Sequence, residues 1–179
     1  MQHSYSVAYR NILLRPLDVS DIEDLRIWRS QPENCKYLRQ LGNITPQMQK
    51  AWYDSYLQNP DELIFGIFET EVLNRLIGSL SLYNFQTGQA EFGKILIGDS
   101  QAHGRKAGLH AVKAVLKIGF EVLGLNRIVL HVYEANEAAV HVYKCAGFQV
   151  TGTHQTDNGR TEYQMEVTCA DYRKNADEE

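Results

Sequence analysis

Closely spaced cysteine pairs, long apolar runs and an excess of basic charge are all missing from this sequence. The three cysteines, Cys35, Cys145 and Cys169, form no C-x-x-C pair. An odd number of widely spaced cysteines indicates neither a disulfide framework nor a zinc site. No apolar stretch approaches the ~20 residues that a membrane-spanning helix needs. We therefore expect a protein of the reducing cytoplasm that needs no metal and contacts no membrane.

Acidic residues slightly outnumber basic ones. Lysine and arginine total 18 against 22 aspartates and glutamates, which gives a formal net charge of −4. Proteins that bind nucleic acid usually carry a basic surface, because they neutralise phosphates. The charge balance therefore argues against nucleic acid as a partner, and it suits a cationic amine.

The length of the chain limits the number of domains. It has 179 residues, of which 44% are hydrophobic. This is sufficient for one good core and short for two. We expect a single domain over residues 1–170, followed by a polar, frayed tail over residues 171–179.

The strongest local pattern is a strand that turns into a helix. An apolar, β-branched run over residues 91–98 predicts a buried strand, and helical spacing begins at Leu109. The turn between them contains Gly104 and Gly108. A helix start offers unpaired N–H groups and a partial positive charge, and small residues let a ligand approach the backbone. The turn therefore predicts a phosphate-binding site, although any tight strand-to-helix loop favours glycine.

A second strand and a short helix follow. Residues 126–133 predict the strand, and residues 136–148 predict a helix with an asparagine cap before it and a glycine stop after it. Asn136 and Tyr143 are two helical turns apart, so they share one face of this helix.

The rest of the chain supplies further strands and helices. Helices are predicted from Asp18 and from Thr45, each at a cap residue. The remaining strands are predicted over residues 11–17, 62–69, 76–83, 148–153 and 161–167, the last two forming a hairpin about an Asp-Asn-Gly turn.

The helix over residues 136–148 resembles a known family. Its pattern Asn136-x-x-Ala139-x-x-x-Tyr143-x-x-x-Gly147-Phe148 is similar at every position to the late motif of the GNAT superfamily of N-acetyltransferases. The turn from His103 to Gly108 is similar to the family's glycine-rich loop. In that loop His103 stands where the family usually has Arg or Gln, and Lys106 stands where it has a central glycine. The resemblance spans about residues 10 to 167.

This resemblance implies a fold and an activity. The fold is α/β: a single GNAT-like domain with a mixed, mostly antiparallel, twisted sheet and helices on both faces. The activity is transfer of an acetyl group from the co-substrate acetyl-CoA to a primary amine, without a metal. The sequence leaves open whether the protein forms a homodimer.

The resemblance also implies which residues hold acetyl-CoA. The pyrophosphate is expected on the backbone of the turn, and the pantetheine arm along the strand at Ile95, Leu96 and Ile97. Asn136 is expected to contact the same arm, to cap its helix, or both. The turn residues of this expected cofactor site are His103, Gly104, Arg105, Lys106, Ala107 and Gly108.

Two side chains are candidates for proton transfer. Tyr143 occupies the position where the family often has its general acid, and a phenol of ordinary pKa, near ~10, is a reasonable donor to a thiolate. Glu91 is the first charged residue on its strand, and strand alternation predicts that it shares a face with Gly93, Ile95 and Ile97. It is the candidate base, with a solvent-exposed carboxylate at a strand end as the equal alternative. His131, which alternates with apolar residues on its strand, is interpreted as a packed histidine.

The acceptor is the least determined part of the prediction. Residues 28–56 resemble two branches of the family, one acting on nucleotide-linked amino sugars and one on protein amino termini. The segment is rich in aromatic rings and includes Arg29, Lys36 and Arg39, a mixture suited to a sugar or base and a phosphate. We expect a small-molecule amine, with a nucleotide-linked amino sugar favoured. The alternatives are a protein amino-terminal acetyltransferase and a non-catalytic acyl-CoA-binding module.

Overall fold

One sheet of eight strands organises the computed structural model, which describes residues 3–38 and 42–176. Across the sheet the order is β1-β2-β3-β4-β5-β6-β8-β7, and every neighbouring pair is antiparallel except β5 and β6. The strands are β1 (Val7–Tyr9), β2 (Ile12–Pro16), β3 (Glu62–Glu69), β4 (Arg75–Gln86), β5 (Gln89–Ile97), β6 (Arg127–Tyr133), β7 (Gln149–Gln155) and β8 (Thr161–Thr168).

Among the described residues, four helices connect these strands along the chain, and a fifth follows β8. They are α1 (Ile22–Arg29), α2 (Pro46–Gln58), α3 (Ala107–Lys117), α4 (Glu137–Cys145) and α5 (Cys169–Ala176). Short 3-10 turns cover Val19–Asp21, Pro32–Cys35 and Ser100–Ala102, and a π-helical turn, Ile118–Val122, continues α3. Within residues 3–38 and 42–176, no helix is long and apolar enough to cross a membrane.

The two faces of the sheet bury different helices. On β3, Ile64 packs with Tyr53 and Tyr56 of α2, in a cluster that also contains Leu25 of α1. The neighbouring residue Phe65 points the other way, into the main core, which also buries the apolar face of α3. Alternation along the strand thus places α1 and α2 on one face and α3 on the other. The expected α/β fold, with a mostly antiparallel sheet and helices on both faces, is confirmed.

The parallel pair β5 and β6 separates after three residues. Glu91 is the last residue of β5 with a partner on β6, Val129, whereas β5 continues to Ile97. A β-bulge interrupts β5 at Lys94, which has a φ of 53°. Bulges bend a strand and increase its twist. One edge of the second half of β5 is therefore left without a strand partner, in a notch between β5 and β6.

The bulge also corrects the predicted face of β5. Gly93 lies opposite Ser81 and Leu96 lies opposite Ser79, so three steps on β5 match two on β4. Ile95 and Ile97 consequently pack against the main core, on the face opposite Glu91. The prediction that Glu91 shares a face with Ile95 and Ile97 is wrong, because simple alternation fails at a bulge.

The end of the chain is helical where a frayed tail was predicted. In α5 the ring of Tyr172 lies 5.1 Å from that of Phe120, and its hydroxyl donates a hydrogen bond of 2.6 Å to Glu121. These contacts give the segment a partner on the π-helical turn. Fraying is therefore wrong for residues 171–176, and residues 177–179 lie outside the described part of the chain.

Candidate active site

The turn before α3 presents an uncapped helix start. Its first half is fixed by Asp99, whose carboxylate accepts hydrogen bonds from the Gln101 backbone at 2.9 Å and from Arg75 at 2.8 Å. At the helix itself, the N-cap residue Lys106 makes no side-chain hydrogen bond to the first turn. The N–H groups of the first turn are therefore available to an anionic ligand, which the helix dipole also favours.

Lys106 adopts a backbone conformation that glycine takes more readily than other residues. Its φ of 58° and ψ of 13° lie in the left-handed region. A side chain in this region costs roughly 1–2 kcal/mol, so the lysine keeps the shape of the turn at some cost in stability. A lysine at residue 106, where the resembled loop has glycine, is therefore compatible with a left-handed turn in this chain.

Both glycines of the turn face open space. A Cβ atom built on Gly104 or on Gly108 would meet no protein atom within 4 Å. Gly104 has a φ of +75°, which favours glycine, whereas Gly108 lies within α3 and has no such requirement. Neither backbone conformation nor packing within the protein therefore requires glycine at position 108. The open space there suits a ligand that approaches the backbone.

The other side chains of the turn bind the protein backbone. A ring nitrogen of His103 lies 3.0 Å from the Ile97 carbonyl oxygen, and Arg105 Nε donates to the Gln101 carbonyl at 2.9 Å. These contacts hold the turn against the end of β5. His103 and Arg105 thus shape the turn.

α4 closes the notch between β5 and β6. Its cap is Asn136, whose side chain accepts a hydrogen bond of 3.4 Å from the Ala139 N–H. Tyr143 is only 6% exposed and packs on Phe92, with ring centroids 5.8 Å apart and planes at 87°. Phe92 is the first residue of β5 beyond its pairing with β6. The fold therefore brings Tyr143 to the point where the two strands separate.

Burial keeps the phenol of Tyr143 protonated. Removal from water disfavours the phenolate and raises the pKa of Tyr143 to about 12. Among the described residues its hydroxyl makes no hydrogen bond. At neutral pH the side chain is therefore a proton donor with no competing protein acceptor among those residues.

A pocket of about 270 Å³ lies under α1 and α2, on the face of β5 opposite to that of Phe92 and Tyr143. Its apolar wall includes Met48 and Trp52 of α2, which are 53% and 41% exposed. Its polar lining consists of Arg29, Gln49, Glu62, Ser79, Ser81 and Lys94. Lys94 lies at the bulge of β5, so the same strand borders both this pocket and the notch between β5 and β6.

The charged floor of the pocket was not predicted from the sequence. Glu62, whose side chain is 12% exposed, accepts a hydrogen bond of 2.6 Å from Lys94 Nζ. The same ammonium lies 4.6 Å from the centroid of the Tyr83 ring. Lysine within an apolar β-branched strand was the only local signal, and nothing in the sequence pairs it with Glu62.

Glu91 lies behind this pocket and does not line it. Its two carboxylate oxygens accept hydrogen bonds from the Tyr83 hydroxyl at 2.7 Å and from Asn84 at 2.9 Å. Burial, together with the bond to Glu91, raises the pKa of Tyr83, so that phenol stays protonated. Glu91 is therefore linked to the pocket through Tyr83, whose ring lies beside the lining residue Lys94.

The aromatic and basic side chains of residues 28–56 do not form one site but lie in the core, in the pocket and in a second groove. Tyr53 and Tyr56 are core residues, while Trp52 lines the pocket. Of the three expected cations Arg29 lines the pocket, Lys36 lines a second groove, and Arg39 lies outside the described residues. The second groove, of about 610 Å³, is lined by Lys36, Tyr37, Tyr133, Glu134, Ala135, Arg160 and Thr161.

Known proteins are similar to this chain in sequence. A protein of Methanocaldococcus jannaschii of unassigned function is 28% identical over 141 residues, which cover 78% of this chain and 28% of that protein. The spermidine N(1)-acetyltransferase of Escherichia coli K12 is 28% identical over 134 residues, covering 67% of this chain and 70% of the enzyme. The chain thus spans about a quarter of the archaeal relative.

Solved structures show the same fold. The spermidine N-acetyltransferase of Vibrio cholerae, in complex with CoA and spermine, superposes with a TM-score of 0.80 at 20% identity, covering 92% of this chain and 99% of that one. A GCN5-related N-acetyltransferase of Brucella melitensis also has a TM-score of 0.80, at 17% identity, covering 96% and 82% of the two chains.

The family model of the acetyltransferase (GNAT) domain matches residues 11–149. This span contains the uncapped helix start, the notch between β5 and β6, and Tyr143. It covers most of the chain and agrees with the resemblance of the turn and of α4. The chain therefore belongs to the acetyltransferase (GNAT) domain family, and so to the acetyl-CoA-dependent N-acetyltransferases.

Proposed function

We propose that this protein acetylates the primary amine of a small molecule that also carries an anionic group, and that a nucleotide-linked amino sugar is the class to test first. The observation that carries this proposal is the charge of the pocket under α1 and α2. Its described lining contains two cations, Arg29 and Lys94, and one anion, Glu62. Such a lining attracts an anionic substituent and disfavours a polycation.

For acetyl-CoA we propose the binding mode that the family resemblance implies. The N–H groups at the start of α3 bind the pyrophosphate, and the unpaired edge of β5 at Ile95–Ile97 binds the pantetheine arm, beside Asn136. Open space at Gly104 and Gly108 and the uncapped start of α3 support this assignment. When bound, acetyl-CoA supplies a thioester carbonyl carbon and a thiolate leaving group.

Tyr143 is our proposed general acid. The amine nitrogen forms a bond to the carbonyl carbon, the carbon–sulfur bond breaks, and the sulfur takes the phenolic proton. Support comes from the burial of Tyr143 beside Phe92, where β5 leaves β6, and from the raised pKa that keeps the phenol protonated. Phenolate formed in this step is reprotonated from solvent after CoA leaves.

Glu62 is our proposed contact for the amine, and Glu91 is proposed to act behind it. Glu62 lines the pocket, so its carboxylate is placed to hold the incoming ammonium and to accept its proton. Glu91 binds the Tyr83 hydroxyl, and Tyr83 in turn supports the ammonium of Lys94. In this scheme Glu91 positions Tyr83 and Lys94, and it touches neither substrate.

The second groove is our proposed site for the nucleotide part of the acceptor. A pocket of about 270 Å³ suits one sugar ring, whereas a sugar nucleotide needs more space. The groove carries Lys36 and Arg160, and it has aromatic rings in Tyr37 and Tyr133. Cations bind phosphate and rings stack on bases, so this lining suits a nucleotide.

Spermidine is the second candidate, because named relatives of this chain acetylate it. The Escherichia coli relative and the Vibrio cholerae structure both carry that name. A polyamine needs several acidic contacts, and the described lining of the pocket offers only Glu62. A protein amino terminus from a basic protein meets the same objection.

A panel of amines tests this proposal. Released CoA thiol is measured with acetyl-CoA and, in separate reactions, nucleotide-linked amino sugars, the free amino sugars, spermidine, and short amino-terminal peptides. We expect the highest kcat/KM with a nucleotide-linked amino sugar and a raised KM in Arg29→Ala. Preference for spermidine or for peptides contradicts the anionic acceptor, and CoA binding without turnover on any amine would favour a non-catalytic acyl-CoA-binding module.

A further inference from the structure

Three metal-binding side chains meet on the C-terminal strands, away from the residues that line the acceptor pocket. They are His131 on β6, Glu162 on β8 and His154 on β7, and one ligand atom from each lies within 4.8 Å of the others. We propose that these three side chains bind a divalent transition-metal ion, with Zn²⁺ as the reference ion. None of the three lines the pocket under α1 and α2 or belongs to the proposed acetyl-CoA contacts.

The distances between the ligand atoms fit such an ion. Zinc lies about 2.0–2.2 Å from imidazole nitrogen and carboxylate oxygen, so two ligands of a tetrahedral site are roughly 3.3 Å apart. Glu162 Oε2 lies 2.8 Å from His154 Nε2 and 3.9 Å from His131 Nδ1. These two values lie on either side of the required separation, so adjustments of about half an ångström bring each of them to it, and the two histidine nitrogens start within 4.8 Å of each other.

The sheet register brings the three residues together. His154 lies directly opposite Glu162 on the neighbouring strand, and His131 lies opposite Gln164, one step along the same face. Cross-strand and diagonal neighbours of this kind are close enough for their side chains to meet. The histidine side chains are 37% and 46% exposed, so the interpretation of His131 as packed is wrong and an ion has access from solvent.

The donor set favours zinc-type ions over calcium or magnesium. Two imidazoles and one carboxylate are nitrogen-rich, whereas calcium and magnesium prefer oxygen ligands. A fourth position is open to water, as in zinc sites with three protein ligands.

An ion at this position would fasten the edge of the sheet. β7 is the edge strand of the sheet, and six of its seven residues are exposed. It therefore buries little apolar surface of its own and depends on its pairing with β8. Ligands on three neighbouring strands would join β7 to β8 and β6, and an ion that binds only the folded chain raises its thermal stability.

Calorimetry and thermal unfolding of the full-length, untagged, chelator-treated protein test the site. We expect one Zn²⁺ per chain and a rise in Tm when Zn²⁺ is added. Removing one ligand, as in Glu162→Gln or His154→Ala, should weaken Zn²⁺ binding by at least about tenfold and abolish the rise in Tm. Binding of CoA should be the same with and without chelator, because neither proposed CoA contacts nor Tyr143 belong to this cluster.

His141→Ala is the matched control. His141 is an exposed histidine on α4 whose ring nitrogen lies 3.6 Å from Cys145 Sγ, so this pair is the competing site for a soft metal. We expect His141→Ala to bind Zn²⁺ as the unmodified protein does. Absence of Zn²⁺ binding, unchanged binding in both Glu162→Gln and His154→Ala, or its loss in His141→Ala would each overturn the proposal, and the contacts of Glu162 would then be ordinary hydrogen bonds.

Discussion

Gly108→Val separates the stability of the turn before α3 from its capacity to bind acetyl-CoA. Nothing in the protein lies within 4 Å of a Cβ at Gly108, and the residue is already helical. Valine is a better helix residue than glycine, so the free energy of unfolding should change by less than about 1 kcal/mol. Any large loss of CoA affinity must then arise in the complex.

The size of that loss follows from the backbone bonds at stake. A hydrogen bond to a charged group contributes about 1.5–3 kcal/mol, and about 1.4 kcal/mol corresponds to a tenfold change in Kd. If the isopropyl group displaces the pyrophosphate from one N–H group, Kd for CoA should rise about 10- to 100-fold. Gly108→Ala, with a smaller side chain, should give a smaller effect.

Isothermal titration with CoA is the assay, and circular dichroism checks the fold of each variant. Gly104→Ala is a less direct variant, since its φ of +75° adds backbone strain. Gly124→Ala is its matched control, because Gly124 has a φ of +66°, open space around it, and a position outside the turn. Normal CoA affinity in folded Gly108→Val would refute the assignment of the pyrophosphate to this helix start.

Three further predictions concern proton transfer, the turn before α3 and stability in acid. Glu62→Gln should lower kcat/KM more than Glu91→Gln does. This loss should shrink at high pH, because the amine then deprotonates without a base. A larger loss in Glu91→Gln would instead indicate that Glu91 is the base. Lys106→Gly should keep CoA affinity within a few-fold in a titration, because the backbone carries the contact; a large loss would assign that role to the ammonium. At Glu69 burial opposes ionisation, yet hydrogen bonds from the Leu73, Val72 and Glu71 backbone and from Asn11 outweigh it and lower the pKa to about 2, from 4.5. A lowered pKa contributes stability that is present above pH 4.5 and is lost as pH falls towards 2, so urea unfolding of Glu69→Gln should depend less steeply on pH over that range than unfolding of the unmodified protein.

Local patterns in the sequence were sufficient to predict α4 and the turn that leads into α3. The cap at Asn136 and the two-turn spacing to Tyr143 are properties of one helix, and they hold in α4. The strand, turn and helix around Gly108 are likewise contiguous in the chain. Short-range spacing encodes such elements, so their existence and type follow from the sequence alone.

Two backbone details could not be predicted. Lys94 and Lys106 both have positive φ, and nothing in lysine's own preference favours that conformation. At Lys94 the bulge moves Ile95 and Ile97 to the other face, which made the predicted partners of Glu91 wrong. The surrounding structure imposes such conformations, so alternation of residue types does not reveal them.

The pocket under α1 and α2 depends on long-range pairing. Glu62 and Lys94 are 32 residues apart, and they meet because β4 lies between their strands in the sheet. No local motif signals such a pair. The proposed metal site has the same origin, since His131, His154 and Glu162 come together through the register of β6, β8 and β7.

The direct test of the proposed transfer mechanism is the turnover of Tyr143→Phe at saturating acetyl-CoA and acceptor. Because the change removes one buried hydroxyl and keeps the ring against Phe92, the fold and the CoA affinity should be unchanged. Loss of a general acid predicts a fall in kcat of about 10²- to 10⁴-fold. Tyr172→Phe is the matched control, since its hydroxyl binds Glu121 on the π-helical turn that follows α3 and its loss should leave kcat unaltered. Retention of near-full kcat in a folded Tyr143→Phe would contradict the account.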